Sequence, residues 1–166
     1  MDLYLVRHAI AEPRDHDRWP DDSQRPLSSD GADLFRRAAR GLHRLGIGVE
    51  AVLTSSYLRA SETAVILVEE AEWPEAETYR ALEPPAGVPA SVQLLETRAE
   101  PSLALVGHQP DLAELASLLL AANEHAVRLE LKKGGVMCLR FTGRPARGAG
   151  VLRWSLSPKI LRQLGS

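Results

Sequence analysis

The 166-residue chain has one cysteine, few aromatic side chains (5%), no long apolar run and no marked excess of charge. Each shortage excludes something. The lone Cys138 rules out an internal disulfide and fits a reducing compartment. Because it lies in the apolar run Val136-Met137-Cys138-Leu139, it reads as a buried structural thiol and not a reactive one. No stretch approaches the roughly 20 apolar residues of a membrane span. The N-terminal apolar run is short and preceded by Asp2, which is not the pattern of a signal peptide. The expectation is a cytoplasmic protein with no membrane partner. The net charge of −2 gives no general attraction to nucleic acid, so any anion site must be a local basic cluster.

What the chain does have is a normal globular share of apolar residues (45%) and length for one core. A single domain over 1–166 is expected, with no internal boundary. Residues 2–6 read as a strand buried on both faces, and 12–26 as a long polar loop. Ser28 or Ser29 caps a helix to about Leu45, with Leu34, Ala38, Leu42 and Leu45 as its apolar stripe. Further strands are expected at 51–54, 78–82 and 102–106. Helices are expected from Ser55 to about Ala71, from Ala90 to Arg98, and from Pro110 to about Ala122. Val136–Phe141 and Val151–Leu156 then form a hairpin across a glycine-rich tip. The alternation predicts a three-layer α/β/α sandwich whose sheet is mostly parallel with an antiparallel edge.

In such sheets ligands bind beyond the carboxyl ends of the strands. The first strand ends at Arg7-His8, the second at Ser55, one turn before Arg59, and the third at Gly107-His108. Arg7, His8, Arg59 and His108 can therefore converge on one edge as a pocket for a doubly charged oxyanion. Arginine forks match phosphate oxygens, and a helix N-terminus adds backbone donors. One geometric condition applies. Neighbouring residues on a strand point to opposite faces, so Arg7 and His8 share a wall only if the strand stops there.

Leu5-Val6-Arg7-His8-Ala9 resembles the first signature of the histidine phosphatase (phosphoglycerate mutase-like) superfamily, with Ala9 where glycine is usual. The segment from Thr54 to Ala64 resembles its second signature and Gly107-His108-Gln109-Pro110 its third. Asp22-Ser23-Gln24-Arg25-Pro26-Leu27 and Trp154-Ser155-Leu156-Ser157-Pro158 are similar to features of the SixA-type phosphohistidine phosphatases.

The resemblance implies a phosphatase with His8 as nucleophile, Arg7, Arg59 and His108 as phosphoryl ligands, and no metal or other cofactor. The partner would be a phosphorylated protein or a small phosphate ester. The proton for the leaving group has two candidate donors, Asp22 and Glu83. Arg25 either touches phosphate or orients Asp22, and Ser55 is a candidate substrate contact. Lys132-Lys133 reads as a pocket rim or a simple charged turn. Trp19 reads as a lid, a partner contact or loop packing. A short chain without a large insertion predicts a shallow, open site.

Overall fold

The N-terminal apolar run forms β1 (Asp2–Arg7), with Leu3, Tyr4, Leu5 and Val6 all buried. A strand covered on both faces needs no polar alternation, which explains its sequence. The computed structural model describes residues 1–166. The polar loop after β1 is pinned by a bridge between Ala11 and Leu27 and holds a 3-10 turn at Asp22–Gln24.

Helix α1 (Ser29–Arg44) starts at the Ser28 cap, whose hydroxyl accepts from the Gly31 N–H. A side chain at Gly31 would collide with the Ile10 carbonyl, so glycine is required where the helix meets the loop after β1. The buried stripe of α1 is Phe35, Ala38, Ala39 and Leu42. The expected Leu34 is only half-buried and Leu45 is exposed beyond the helix end. Ala38 and Leu42 are buried as expected, while Phe35 and Ala39 take inward positions that Leu34 and Leu45 do not.

β2 (Ala51–Thr54) is followed by α2 (Leu58–Ala71), which starts three residues later than the sequence pattern indicates. Ser55–Tyr57 stays out of the helix, with the Ser55 hydroxyl accepting from the Tyr57 N–H. The next strand, β3 (Ala76–Thr78), lies ahead of its expected place at 78–82. A 3-10 turn at Arg80–Leu82 instead carries Leu82 into the core. Helix α3 (Gly87–Glu96) also begins earlier than expected, at a glycine with φ of 72°.

β4 (Ser102–Gly107) and α4 (Asp111–Ala121) follow the expectation closely, as do β5 (Val136–Arg140) and β6 (Val151–Leu156). A final helix, α5 (Pro158–Leu164), was not anticipated. Its signals are local ones: the Ser157 cap and Pro158 in the first turn.

The six strands lie in the order β3-β2-β4-β1-β5-β6. The first four are mutually parallel, and β5 pairs antiparallel with β1 and β6, giving the mixed edge. One core packs Tyr4, Val6, Val52 and Val106 under α1, α2 and α5, and buries Cys138, whose thiol is pushed up to about 11 by burial and Asp2. The other packs Leu3, Leu5, Leu53 and Leu105 under α3 and α4. No helix is long and apolar enough to cross a membrane.

Candidate active site

β2, β4 and β1 are sheet neighbours, and their register sets Thr54 beside Val106 and Arg7 beside Gly107. Their carboxyl ends are therefore level. β1 stops at Arg7, while the His8 N–H donates to the Gly107 carbonyl (3.0 Å). The alternation of faces ends there, and Arg7 and His8 line the same cavity. That cavity, of about 700 Å³, has a mainly polar wall that includes Arg7, His8, Asp22, Arg25, Arg59 and His108. Six of the eight residues singled out from the sequence thus meet, although 101 positions separate Arg7 from His108 in the chain.

His8 is 7% exposed, and its Nδ1 lies 2.7 Å from the Ala9 carbonyl. A carbonyl only accepts, so Nδ1 carries the proton and Nε2 keeps its lone pair. Burial, then the charges of Arg59, Arg7 and Lys133, lower the His8 pKa to about 3 against the opposing pull of the Ala9 bond. His8 is neutral at physiological pH. His108 lies 5.1 Å away, ring to ring, and is likewise pushed down to about 3 by burial, His8, Arg59 and Arg7. Two imidazoles among guanidinium groups remain uncharged because water is scarce and cations are near.

Ser55 does not reach the cavity wall. It is fully buried, and its Oγ lies 3.0 Å from His108 Nε2. The hydroxyl thus fixes the His108 ring from behind. Glu83 is also off the wall, accepting a 2.7 Å bond from the Ser56 hydroxyl.

Arg59 is 3% exposed and donates from Nη1 to the Asp22 carbonyl (2.8 Å), while Nη2 lies 3.0 Å from Asp22 Oδ2. The other carboxylate oxygen accepts from Arg25 Nε at 2.8 Å, and Arg25 Nη1 reaches the Glu12 carbonyl at 2.8 Å. Burial opposes ionisation of Asp22. The Arg25 bond and the charges of Arg59, Arg25 and Arg14 outweigh it and hold the carboxyl below its usual range. This network ties both ends of the 12–26 loop to the floor of the cavity.

Thr63 links the first two motifs: its Oγ1 accepts from the Ala9 N–H (3.0 Å) and donates to the Arg59 carbonyl (2.6 Å). Thr63 was inside the second motif but had no role read from it. Tyr57, Gln109 and Lys133 also line the cavity. Tyr57 sits edge-on to His108 at 5.3 Å and under the Arg59 guanidinium at 5.0 Å. Its place two residues before Arg59, just outside the helix, is no signal by itself. Trp19 lies outside the cavity, beneath Arg18 in the loop. No group of three or more His, Cys, Asp or Glu side chains is arranged to hold a metal.

Residues 3–83 match the model of the histidine phosphatase superfamily (branch 1). An uncharacterised protein of Picosynechococcus is 37% identical over 143 residues, spanning 84% of this chain and 85% of its own. Among solved structures, the protein histidine phosphatase SixA complexed with tungstate superposes with a TM-score of 0.81 at 25% identity, covering 97% of this chain and 99% of its own. A provisionally assigned SixA of Agrobacterium tumefaciens gives 0.77 at 19% identity, with 95% and 97% coverage. Phosphoserine phosphatase of Entamoeba histolytica gives 0.66 at 13%, with 96% and 98% coverage. The three motifs, the sheet that aligns them and these likenesses agree: the chain belongs to the histidine phosphatase superfamily and is a phosphatase.

Proposed function

We propose that this phosphatase removes phosphoryl groups from histidine side chains of proteins through a covalent intermediate on His8. The observation that carries the mechanism is the neutral His8 with Nδ1–H held by Ala9 and Nε2 free, beside Arg7, Arg59 and His108. Nε2 attacks phosphorus as the bond to the substrate nitrogen breaks, leaving the phosphoryl group on His8. Water then attacks phosphorus, the His8 P–N bond breaks and phosphate leaves. Arg7 and Arg59 hold charge on the equatorial oxygens, where phosphoryl transfer gains most. His108, steadied by Ser55, faces the same oxygens.

Of the two candidates for the general acid, Asp22 lines the cavity and Glu83 does not, which favours Asp22. Its carboxylate is ionised in the resting site, so it orients Arg59 and Arg25 before it donates any proton. The Nε bond from Arg25 to Asp22 favours the orienting role for Arg25 as well. A phosphoimidazole exchanges one P–N bond for another and demands little of a general acid, in keeping with this arrangement. The likeness to SixA supports the same substrate class.

A second reading, a small-molecule phosphomonoesterase, is favoured by the roomy cavity and by the phosphoserine carried by the E. histolytica relative. Phosphate release from a phosphohistidine protein and from an aryl phosphate separates the two. We expect faster release from the phosphoprotein, reduced at least about a thousandfold in His8→Ala. Preference for the aryl ester would favour the second reading, and no release from either substrate would leave a phosphate-binding module.

A further inference from the structure

Lys133 sits at the cavity mouth on a turn that no signature motif contains. Its position is fixed by the backbone of the nucleophile. The Gly134 N–H reaches the carbonyls of Arg7 and His8 (3.0 and 3.1 Å), the Arg7 N–H donates to the Gly135 carbonyl (3.2 Å), and Arg7 Nη1 donates to the Leu131 carbonyl (3.0 Å). Gly134 has φ of 76°, a conformation other residues rarely adopt, and added bulk there would press on Phe35. The turn therefore delivers one lysine, and not its neighbour Lys132, to the pocket.

The charge at the pocket exceeds what a phosphoryl group needs. Arg7, Arg14, Arg25, Arg59 and Lys133 line the cavity against two carboxylates, Glu12 and Asp22. Both carboxylates are engaged by arginines: Glu12 by Arg18, and Asp22 by Arg14, Arg25 and Arg59. Lys133 has no such partner, and with Arg14, whose side chain is 80% exposed, it forms an outward-facing cationic rim. A doubly charged phosphoryl group on the floor leaves this rim unneutralised. The field of Arg7, Arg25 and Arg59 adds to burial in disfavouring the Lys133 cation, so an approaching anion gains by relieving it.

We infer that Lys133 is a specificity-determining residue that recognises a carboxylate beside the phosphoryl group, borne on an acidic side chain of the phosphorylated protein. This deepens the phosphohistidine reading and rests on it. A protein source is favoured because the rim faces out of an open site, where an acidic side chain on a surface laid across the mouth meets it. A small metabolite would sit below, among the arginines.

The test compares two phosphohistidine peptides, one with Asp or Glu beside the phosphorylated residue and one with Ser, together with a small phosphorylated carboxylic acid. Each is measured with wild type, Lys133→Glu and Lys133→Arg. Wild type is expected to favour the acidic peptide in kcat/KM, with Lys133→Arg keeping the preference. Lys133→Glu should shift the acidic-to-neutral ratio by about fivefold or more at low salt, through KM. An unchanged ratio in Lys133→Glu overturns the assignment. So does a wild-type preference restricted to the small acid, which puts the carboxylate on a metabolite. Wild type that hydrolyses neither peptide refutes the phosphohistidine reading itself, whereas equal turnover of both refutes the rim role alone.

Discussion

The floor and the rim of this pocket are built on different terms. On the floor, His8, Arg59 and His108 are each under a tenth exposed and held by short bonds to Ala9, Asp22 and Ser55. On the rim, Arg14 and Lys133 are exposed and come from a loop and a turn. Low water content on the floor strengthens every electrostatic contact there and keeps both imidazoles neutral, while solvent screens the rim. The floor is thus built from buried side chains at strand ends and in the first turn of α2, and the rim from exposed segments of the kind that tolerate change.

The sharpest way to break this division is Arg59→Ala. Loss of a buried donor to developing charge is expected to cut turnover about 10²- to 10³-fold. Asp22 keeps its bond from Arg25 in this variant, so the thermal unfolding midpoint should move by only a few degrees. Full activity in steady-state assays of this variant would refute the floor as described.

A smaller effect is expected of Asp22→Asn, which joins floor to rim. If the carboxylate mainly orients Arg59 and Arg25, an aryl phosphate and a phosphohistidine peptide should lose similar factors, about tenfold each. A general acid would instead show as a loss of about 10² or more on a substrate with a poor leaving group and little on the peptide. Measuring both substrates with the one variant decides the role.

A third test concerns pH and reads stability instead of turnover. Below pH 6.5 an unfolded chain protonates the histidines at 8 and 108, whereas the folded floor resists until about pH 3. The unfolded state then binds more protons, so stability is complete above pH 6.5 and is lost as pH falls from 6.5 toward 3. The Asp22 carboxyl, held below 3.8, adds its own loss only at the acid end of that range. Denaturant unfolding at several pH values should show a shallower decline between pH 6.5 and 4 in His8→Asn. An equal slope would mean that the floor is wetter than its geometry implies.

Much of the floor was legible in the sequence because strand ends are marked by abrupt changes: an apolar run halts at Arg7-His8, another at Gly107-His108. Parallel pairing then brings those ends level without further information. The rim was not legible in that way. Lys132 and Lys133 are indistinguishable as adjacent letters, and only the bonds from Gly134 to Arg7 and His8 select between them. Ser55 lay in a motif, yet its burial behind His108 depends on three neighbouring strands. The displaced β3 and the missed α5 have a common cause: pieces of three and seven residues carry too little periodicity to be read apart from their packing.

The turn that carries Lys133 also has a practical use. Because it contains no motif residue yet is stapled to the backbone of Arg7 and His8, it is a natural graft point. Keeping Gly134 and Gly135 while exchanging the two preceding residues alters what meets an incoming surface and leaves the staple intact. New substrate preferences can then be sought in a library of two positions, with the surroundings of His8 untouched.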